Sequence, residues 1–236
     1  MKIGIMQPYI FPYIGYFQLI NAVDTFVFYD DVNYIKGGWI NRNNILVGDK
    51  ANMFTISLNN PSSFNTISET KLDLNKFEIF KLKFLRTIEQ SYKKAPLYKK
   101  IYPMLEDFFL VKENILISEM AINSVVMVSN YLGLQTDFKI SSINHADSKG
   151  VDKADRLITI SKKEMAKEYI NPIGGQDLYN KEHFKNNNIK LHFIQSEEIV
   201  YKQFKGDFVP WLSIIDVLMF NSKEEIQLQL NKYTLV

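Results

Sequence analysis

The sequence predicts an α/β protein with a Rossmann-like, mostly parallel sheet, and three observations carry that expectation. Short β-rich runs alternate with helical stretches near both ends, the middle is helical throughout, and strands separated by helices need crossovers, which favour a parallel sheet covered on both faces. One domain spanning 1–236 is expected. It divides into a βαβ and β-rich part (1–74), a helical insertion (75–132) and a βαβαβ part with a closing helical pair (133–236).

Lys2 to Met6 is a short apolar run, Gln7 to Pro12 a Pro-punctuated loop, and Ile14 to Val23 an apolar helix. Asp24 and Thr25 interrupt, and Phe26 to Tyr29 make a second strand that stops at Asp30 and Asp31. Gly37, Gly38 and Gly48 break a β-prone stretch into hairpin-like excursions before a further buried strand, Asn52 to Leu58, and a loop, Asn59 to Asn65. Helical periodicity runs from Asn75 to Tyr131, punctuated near Ala95–Pro96 and near Glu113–Asn114 and ended by Gly133. Alternation then returns. Thr136 to Ser141, Lys167 to Ile170 and Ile189 to Ile194 read as strands; Asp152 to Lys163 and Asn180 to Asn187 read as helices, with Asp152 and Asp155 resembling an N-terminal cap. Helices over Phe208 to Phe220 and Lys223 to Asn231 close the chain.

Composition narrows the function classes. Twenty-eight Lys plus Arg against 26 Asp plus Glu leave a formal charge of +2, and the absence of cysteine removes disulfides, thiolate metal sites and Cys nucleophiles. No metal site is expected, and no cofactor is identified. Only Arg42, Arg86 and Arg156 are arginines. The basic surplus between Lys71 and Lys100 falls on the solvated face of a helix whose other face carries Phe77, Phe80, Phe84 and Ile88, so nucleic-acid binding is not expected. The most apolar stretch, Phe208 to Phe220, carries Asp216 and falls short of the roughly 17 residues of a spanning helix. No membrane insertion is expected, Pro8 and Pro12 interrupt any signal-like segment, and the cytoplasm is the default location.

Ligands of parallel sheets gather at the carboxyl ends of strands, so the loops after Met6, Tyr29, Ser141 and Ile170 are expected to form one cleft. In the first, Gln7, Pro8, Tyr13 and Tyr16 sit at a strand-to-helix turn suited to an anion, while Tyr9, Phe11 and Phe17 read as core. In the second, Asp30 or Asp31 supplies a carboxylate for base or amine-binding work, and Lys36, Trp39, Asn41 and Arg42 supply anion and polar contacts. Ser141 and Ser142 add hydroxyls, and Gly174 and Gly175 allow close backbone approach. Asp216, among Ile215, Val217 and Leu218, is either a desolvated base or a structural carboxylate. His145 reads as a surface residue.

The opening MQPYIFPYIGYFQLINAVDTFVFYDDVNYIKGGWINRN resembles that of the WbqC-like family, and RLITIS, YINPIGGQDLY and FVPWLSIIDVLMFN resemble its other recurring segments. The resemblance spans nearly the whole chain. It implies a role in bacterial surface polysaccharide such as O-antigen, acting on activated sugars. The expected activity is transfer of an acyl or aminoacyl group to a nucleotide-linked amino sugar; an adenylate-forming or nucleotidyl-transferring enzyme and a non-catalytic sugar-nucleotide-binding protein are the alternatives. The expected partner is a nucleotide-linked sugar or another anionic small molecule. A fainter, fold-level resemblance is to the nucleotidylyltransferase superfamily, with Tyr13-Ile14-Gly15-Tyr16 in the place of its H-x-G-H motif and both histidines replaced by tyrosine.

Overall fold

The computed structural model describes residues 1–110 and 115–236. In chain order, β1 (Lys2–Met6), α1 (Ile14–Asn21) and β2 (Thr25–Phe28) lead into a hairpin, β3 (Arg42–Val47) and β4 (Lys50–Thr55). Helices α2 (Leu74–Tyr92), α3 (Tyr98–Leu110) and α4 (Ile117–Leu132) follow. Then come β5 (Asp137–Ile140), α5 (Ser141–Asn144), α6 (Lys153–Lys163), β6 (Glu168–Pro172), α7 (Lys181–Asn186), β7 (Lys190–Ser196), α8 (Ile214–Phe220), α9 (Lys223–Gln229) and β8 (Tyr233–Leu235).

The main sheet has the order β5-β2-β1-β6-β7-β8, with the first five strands parallel and β8 antiparallel at the edge. This is the Rossmann-like α/β fold expected from the alternating pattern. Alternate side chains go to opposite faces of a strand. Ile3 and Ile5 of β1 and Val27 of β2 pack with Leu157, Ile160, Phe184 and Phe193 on one face. Phe26 and Phe28 pack with Phe17, Leu19 and Ile20 of α1 and with the α2–α4 and α8–α9 helices on the other. Each fully buried Phe or Ile stabilises the fold by about 1.5–3 kcal/mol relative to exposure. Gly4 sits tightly between them, since a Cβ there would lie 3.3 Å from the Phe26 ring and press on it.

The helical insertion follows its apolar periodicity. Phe77, Phe84 and Ile88 of α2 are buried while Lys83, Arg86 and Gln90 are exposed, and Gly133, at φ 74°, ends α4 in the left-handed conformation. A break does fall near Ala95–Pro96; the one expected near Glu113–Asn114 lies outside the described residues.

Five local expectations need correction. The strand expected at Asn52 to Leu58 is β4, mostly exposed and paired only with β3, because its apolar residues are too few to cover two faces. The helix expected from Phe208 begins only at Ile214: Trp211 has φ 60°, and the Ser213 side chain accepts from the Ile215 N–H as the cap. Ser141 and Ser142 open α5 instead of ending β5. Asp152 precedes α6 without any side-chain cap bond. His145 is buried at 1% exposure, because the turn after α5 folds it beneath Glu164. The strand β8 has no helix-like or alternating signal long enough to announce it.

Candidate functional site

Parallel register brings the strand ends level: Met6 pairs with Phe28, Phe28 with Ile140, and Pro172 with Ile194. The chain leaves β1 toward α1 and β2 on one side, whereas β6 lies on the other side of β1. The β1/β6 boundary is therefore a topological switch point, where the flanking loops diverge and open a crevice. A cleft of about 810 Å³ occupies this place. Gln7, Tyr9, Tyr13, Gly15 and Tyr16 line it from the β1–α1 connection, Tyr29, Val32 and Trp39 from the segment after β2, and Asn171 to Gly175 from the end of β6. Gln195 and Ser196 at the end of β7, Lys153 at the start of α6, and Trp211 complete the opposite wall.

The β1–α1 loop is held rigidly. Phe11 is fully buried at φ 41°, a strained conformation for a residue with a side chain. Its N–H donates to Ser124 Oγ (3.0 Å), and its carbonyl accepts from Asn43 Nδ2 (2.7 Å) and Ser213 Oγ (2.7 Å). These contacts from β3, α4 and the α8 cap fix Tyr9 and Tyr13, on either side of Phe11, at the cleft. No side chain caps α1, so the positive end of its dipole faces the cleft beside Gly15. A Cβ at Gly15 would sit 2.9 Å from Ser196 Oγ and overlap the Tyr13 ring, so only glycine lets the β1 and β7 sides approach here.

The cleft is aromatic and nearly uncharged. Among the described residues lining it, Lys153 is the one permanently charged side chain, and none is a carboxylate or histidine. Burial raises the phenols of Tyr9, to about 12, and of Tyr13 and Tyr29, and it raises Tyr16 and Tyr169 well above the ordinary value. These hydroxyls stay protonated near neutral pH and act as hydrogen-bond donors. Tyr16 Oη donates to the Gln7 carbonyl (2.8 Å), and Tyr169 Oη donates to Asn171 Oδ1 (2.9 Å).

The structure brings together part of the expected constellation. Gln7, Tyr13, Tyr16, Trp39, Gly174 and Gly175 line the cleft; Pro8 is buried beside it, and Lys36 is exposed on the excursion after β2. Asn41 is occupied inside the fold, accepting from Tyr34 Oη (2.9 Å) and donating to the Ile56 carbonyl (2.8 Å). The Arg42 guanidinium lies over the Trp39 ring, 5.7 Å from its centroid. Phe11 and Phe17 are core as expected, but Tyr9 is a cleft residue.

The carboxylates do not line the cleft. Asp30 accepts from the Ser142 N–H (2.9 Å) and Ser142 Oγ (2.6 Å), and Asp31 accepts from Ser141 Oγ (2.5 Å) and pairs with Arg156 of α6. These four side chains thus join the end of β2 to α5, and Arg156 adds α6, outside the cleft lining. Arg156 also stacks over Tyr29 (4.8 Å to the ring centroid), which connects this latch to a cleft-lining ring. Asp216 is fully buried in α8 and accepts from Tyr92 Oη (2.9 Å), Tyr201 Oη (2.6 Å) and Gln203 Nε2 (2.9 Å). Burial raises its pKa, and the three donors partly offset that rise.

Sequence reasoning missed Tyr29, Lys153, Asn171, Tyr179, Gln195, Ser196 and Trp211 as cleft residues and Arg156 as the partner of Asp31. One signal was present: Tyr29 ends a strand at the correct edge. No metal-ligand group of three or more His, Asp or Glu occurs among the described residues, and no helix among them is long and apolar enough to cross a membrane.

Comparison with known proteins adds a family. The chain is similar to an uncharacterized protein of Mycobacterium tuberculosis, 28% identical over 223 residues and covering 93% of each chain. No solved structure matches it significantly. The sequence profile of the WbqC-like protein family matches residues 7–228, from the mouth of the cleft after β1 into α9, so the chain belongs to the WbqC-like protein family.

Proposed function

We propose that the switch-point cleft binds a nucleotide-linked amino sugar and that the protein transfers an acyl or aminoacyl group to its amine during assembly of bacterial surface polysaccharide. The observation that carries the reading is the meeting, in one cleft of about 810 Å³, of the uncapped α1 N-terminus, Gly15 and Lys153 with a set of tyrosine rings. The first group suits a phosphate and the second a planar base. The absence of a carboxylate or histidine among the described lining residues makes positioning the protein's main contribution. The attacking amine then loses its proton to water as the new amide bond forms and the donor's leaving group departs.

A second reading is favoured by one specific feature: Tyr13-Ile14-Gly15-Tyr16 stands at the start of α1 on the cleft wall, the place where a nucleotidyl-transferring enzyme grips phosphate. The test is a calorimetric titration with UDP-, dTDP- and GDP-linked amino sugars, followed by mass spectrometry with acyl and aminoacyl donors. Binding with a mass gain on the sugar supports transfer; binding with pyrophosphate release from a nucleoside triphosphate supports the second reading; binding without product makes the protein a carrier. A Cβ at Gly174, which lines the cleft, would meet nothing within 4 Å, so Gly174→Phe adds a ring there without a Cβ clash and should weaken binding. No binding by the wild type overturns the proposal.

A further inference from the structure

A smaller compartment of about 260 Å³ opens from the main cleft and shares Tyr9, Tyr13, Trp39 and Trp211 with it. It lies below the usual size of a pocket for a whole drug-sized ligand, which leaves room for one ring. Its remaining walls are Pro12, Asn43 and Asn44, so no charged side chain lines it among the described residues. Asn43 is committed to the β1–α1 loop, whereas the Asn44 side-chain amide makes no hydrogen bond among the described residues. That amide offers a donor and an acceptor to an incoming neutral group.

The two tryptophans are the only ones in the chain, and both are at this compartment. They stay exposed, Trp39 at 45% and Trp211 at 75%, although nothing in the core needs them there. Trp211 also holds φ 60°, a strained conformation for a bulky residue, and its backbone is pinned immediately afterwards. The Ser213 N–H donates to the Asn44 carbonyl (2.8 Å), and the Ile214 N–H donates to the Pro12 carbonyl (2.9 Å). The Arg42 guanidinium carbon lies over the Trp39 ring, 5.7 Å from its centroid. Tyr13 meets Trp211 edge-on with centroids 6.4 Å apart. Two aromatic rings are thus held in place but left uncovered around a neutral, ring-sized space.

We propose that this compartment is the sugar subsite, in which Trp39 and Trp211 stack on a neutral pyranose ring and Asn44 hydrogen-bonds its hydroxyl or acylamino substituent. The positively polarised C–H face of a pyranose suits the negative face of an indole. Lack of charge excludes the phosphates, which stay near Lys153 and α1 in the main cleft. This assignment rests on the nucleotide-sugar reading above and goes further, since it divides the ligand between the two compartments.

The test compares UDP and dTDP with UDP- and dTDP-linked N-acetylhexosamines on the wild type, Trp39→Ala and Trp211→Ala. Both side chains are exposed, so the variants should melt like the wild type. Each variant should bind the sugar-linked nucleotides about tenfold more weakly, equivalent to roughly 1.4 kcal/mol, while binding UDP or dTDP as before. Equal losses for the sugar-linked and the bare nucleotide would assign the tryptophans to the base and overturn the subsite, as would no loss for either. If the wild type binds none of these nucleotides, the nucleotide reading fails by itself. The subsite is then decided by titrating free N-acetylhexosamines against tryptophan fluorescence, which reports on these two residues alone: a saturable shift whose midpoint rises about tenfold in Trp211→Ala supports it, and no shift, or an unmoved midpoint, overturns it.

Discussion

Arg156→Met isolates the ion pair that fastens α6 to the end of β2. Arg156 and Asp31 are both almost wholly buried, so removing the guanidinium leaves Asp31 as a desolvated carboxylate. Breaking a buried pair from one side costs about 3–5 kcal/mol. Ser141 Oγ still donates to Asp31 at 2.5 Å, which places the expected loss at the lower end, about 3 kcal/mol. At about 2–4 °C per kcal/mol for a chain of this size, the melting temperature should fall by roughly 6–12 °C. Asp31→Asn removes the other charge and leaves Arg156 buried alone, so it too should destabilise. The double variant leaves no buried charge to solvate, and its loss should be smaller than the sum of the single losses by about 2 kcal/mol. Chemical denaturation of the four proteins, fitted with a common slope, measures this coupling. Additivity within about 0.5 kcal/mol would show that the pair contributes nothing as a pair and would refute the latch.

Two further outcomes follow from the geometry. A Cβ at Gly175 would come within 1.9 Å of Asn171 Nδ2, whereas one at Gly174 would meet nothing; Gly175→Ala should therefore lower the melting temperature or displace Asn171, and Gly174→Ala should be silent in the same thermal scan. Burial lowers the pKa of His145 and His192 below the ordinary 6.5, with Glu164 and Glu168 opposing the shift. Below that value the unfolded chain takes up protons that the folded chain resists. Stability from these groups is thus full above about pH 6.5 and is lost as pH falls through that value toward the folded pKa. Melting curves from pH 7.5 to 5 should show the loss, and His145→Gln should flatten the slope; an unchanged slope would exclude His145 as a contributor.

The parallel sheet was legible because its strands are short apolar runs bounded by Asp, Asn and Pro, and because helical periodicity filled the intervals. The β3–β4 hairpin and β8 were harder, since strands exposed on one side or only a few residues long carry little hydrophobic pattern. Of the four loops expected to form the cleft, those after Met6, Tyr29 and Ile170 line it and the one after Ser141 does not. Its chemistry was less legible, because sequence gives the height of a residue on a strand but not its depth. Asp30 and Asp31 stand at the correct strand end, yet Ser141, Ser142 and Arg156 come from distant segments to engage them outside the cleft lining. Likewise Tyr9 reads as core beside Phe11, but the left-handed turn at Phe11 sends the two rings to different surroundings.

The three acids that sequence marked as reactive share one feature in the fold: each is matched by donors from another element. Buried carboxylates persist only where hydrogen bonds or cations replace water. Asp30 has Ser142, Asp31 has Ser141 and Arg156, and Asp216 has Tyr92, Tyr201 and Gln203. Two of these sets also lead to an aromatic ring of the cleft. Arg156 passes from Asp31 to the face of Tyr29. Gln203 links Asp216 to both the carbonyl and the N–H of Val209, two residues before Trp211. These three carboxylates thus stand outside the cleft lining, which is mainly aromatic and carries Lys153 as its charged side chain among the described residues. Loss of Asp31 should therefore disturb Tyr29, and loss of Asp216 should disturb the Val209–Trp211 segment, which near-ultraviolet circular dichroism of the two variants would report.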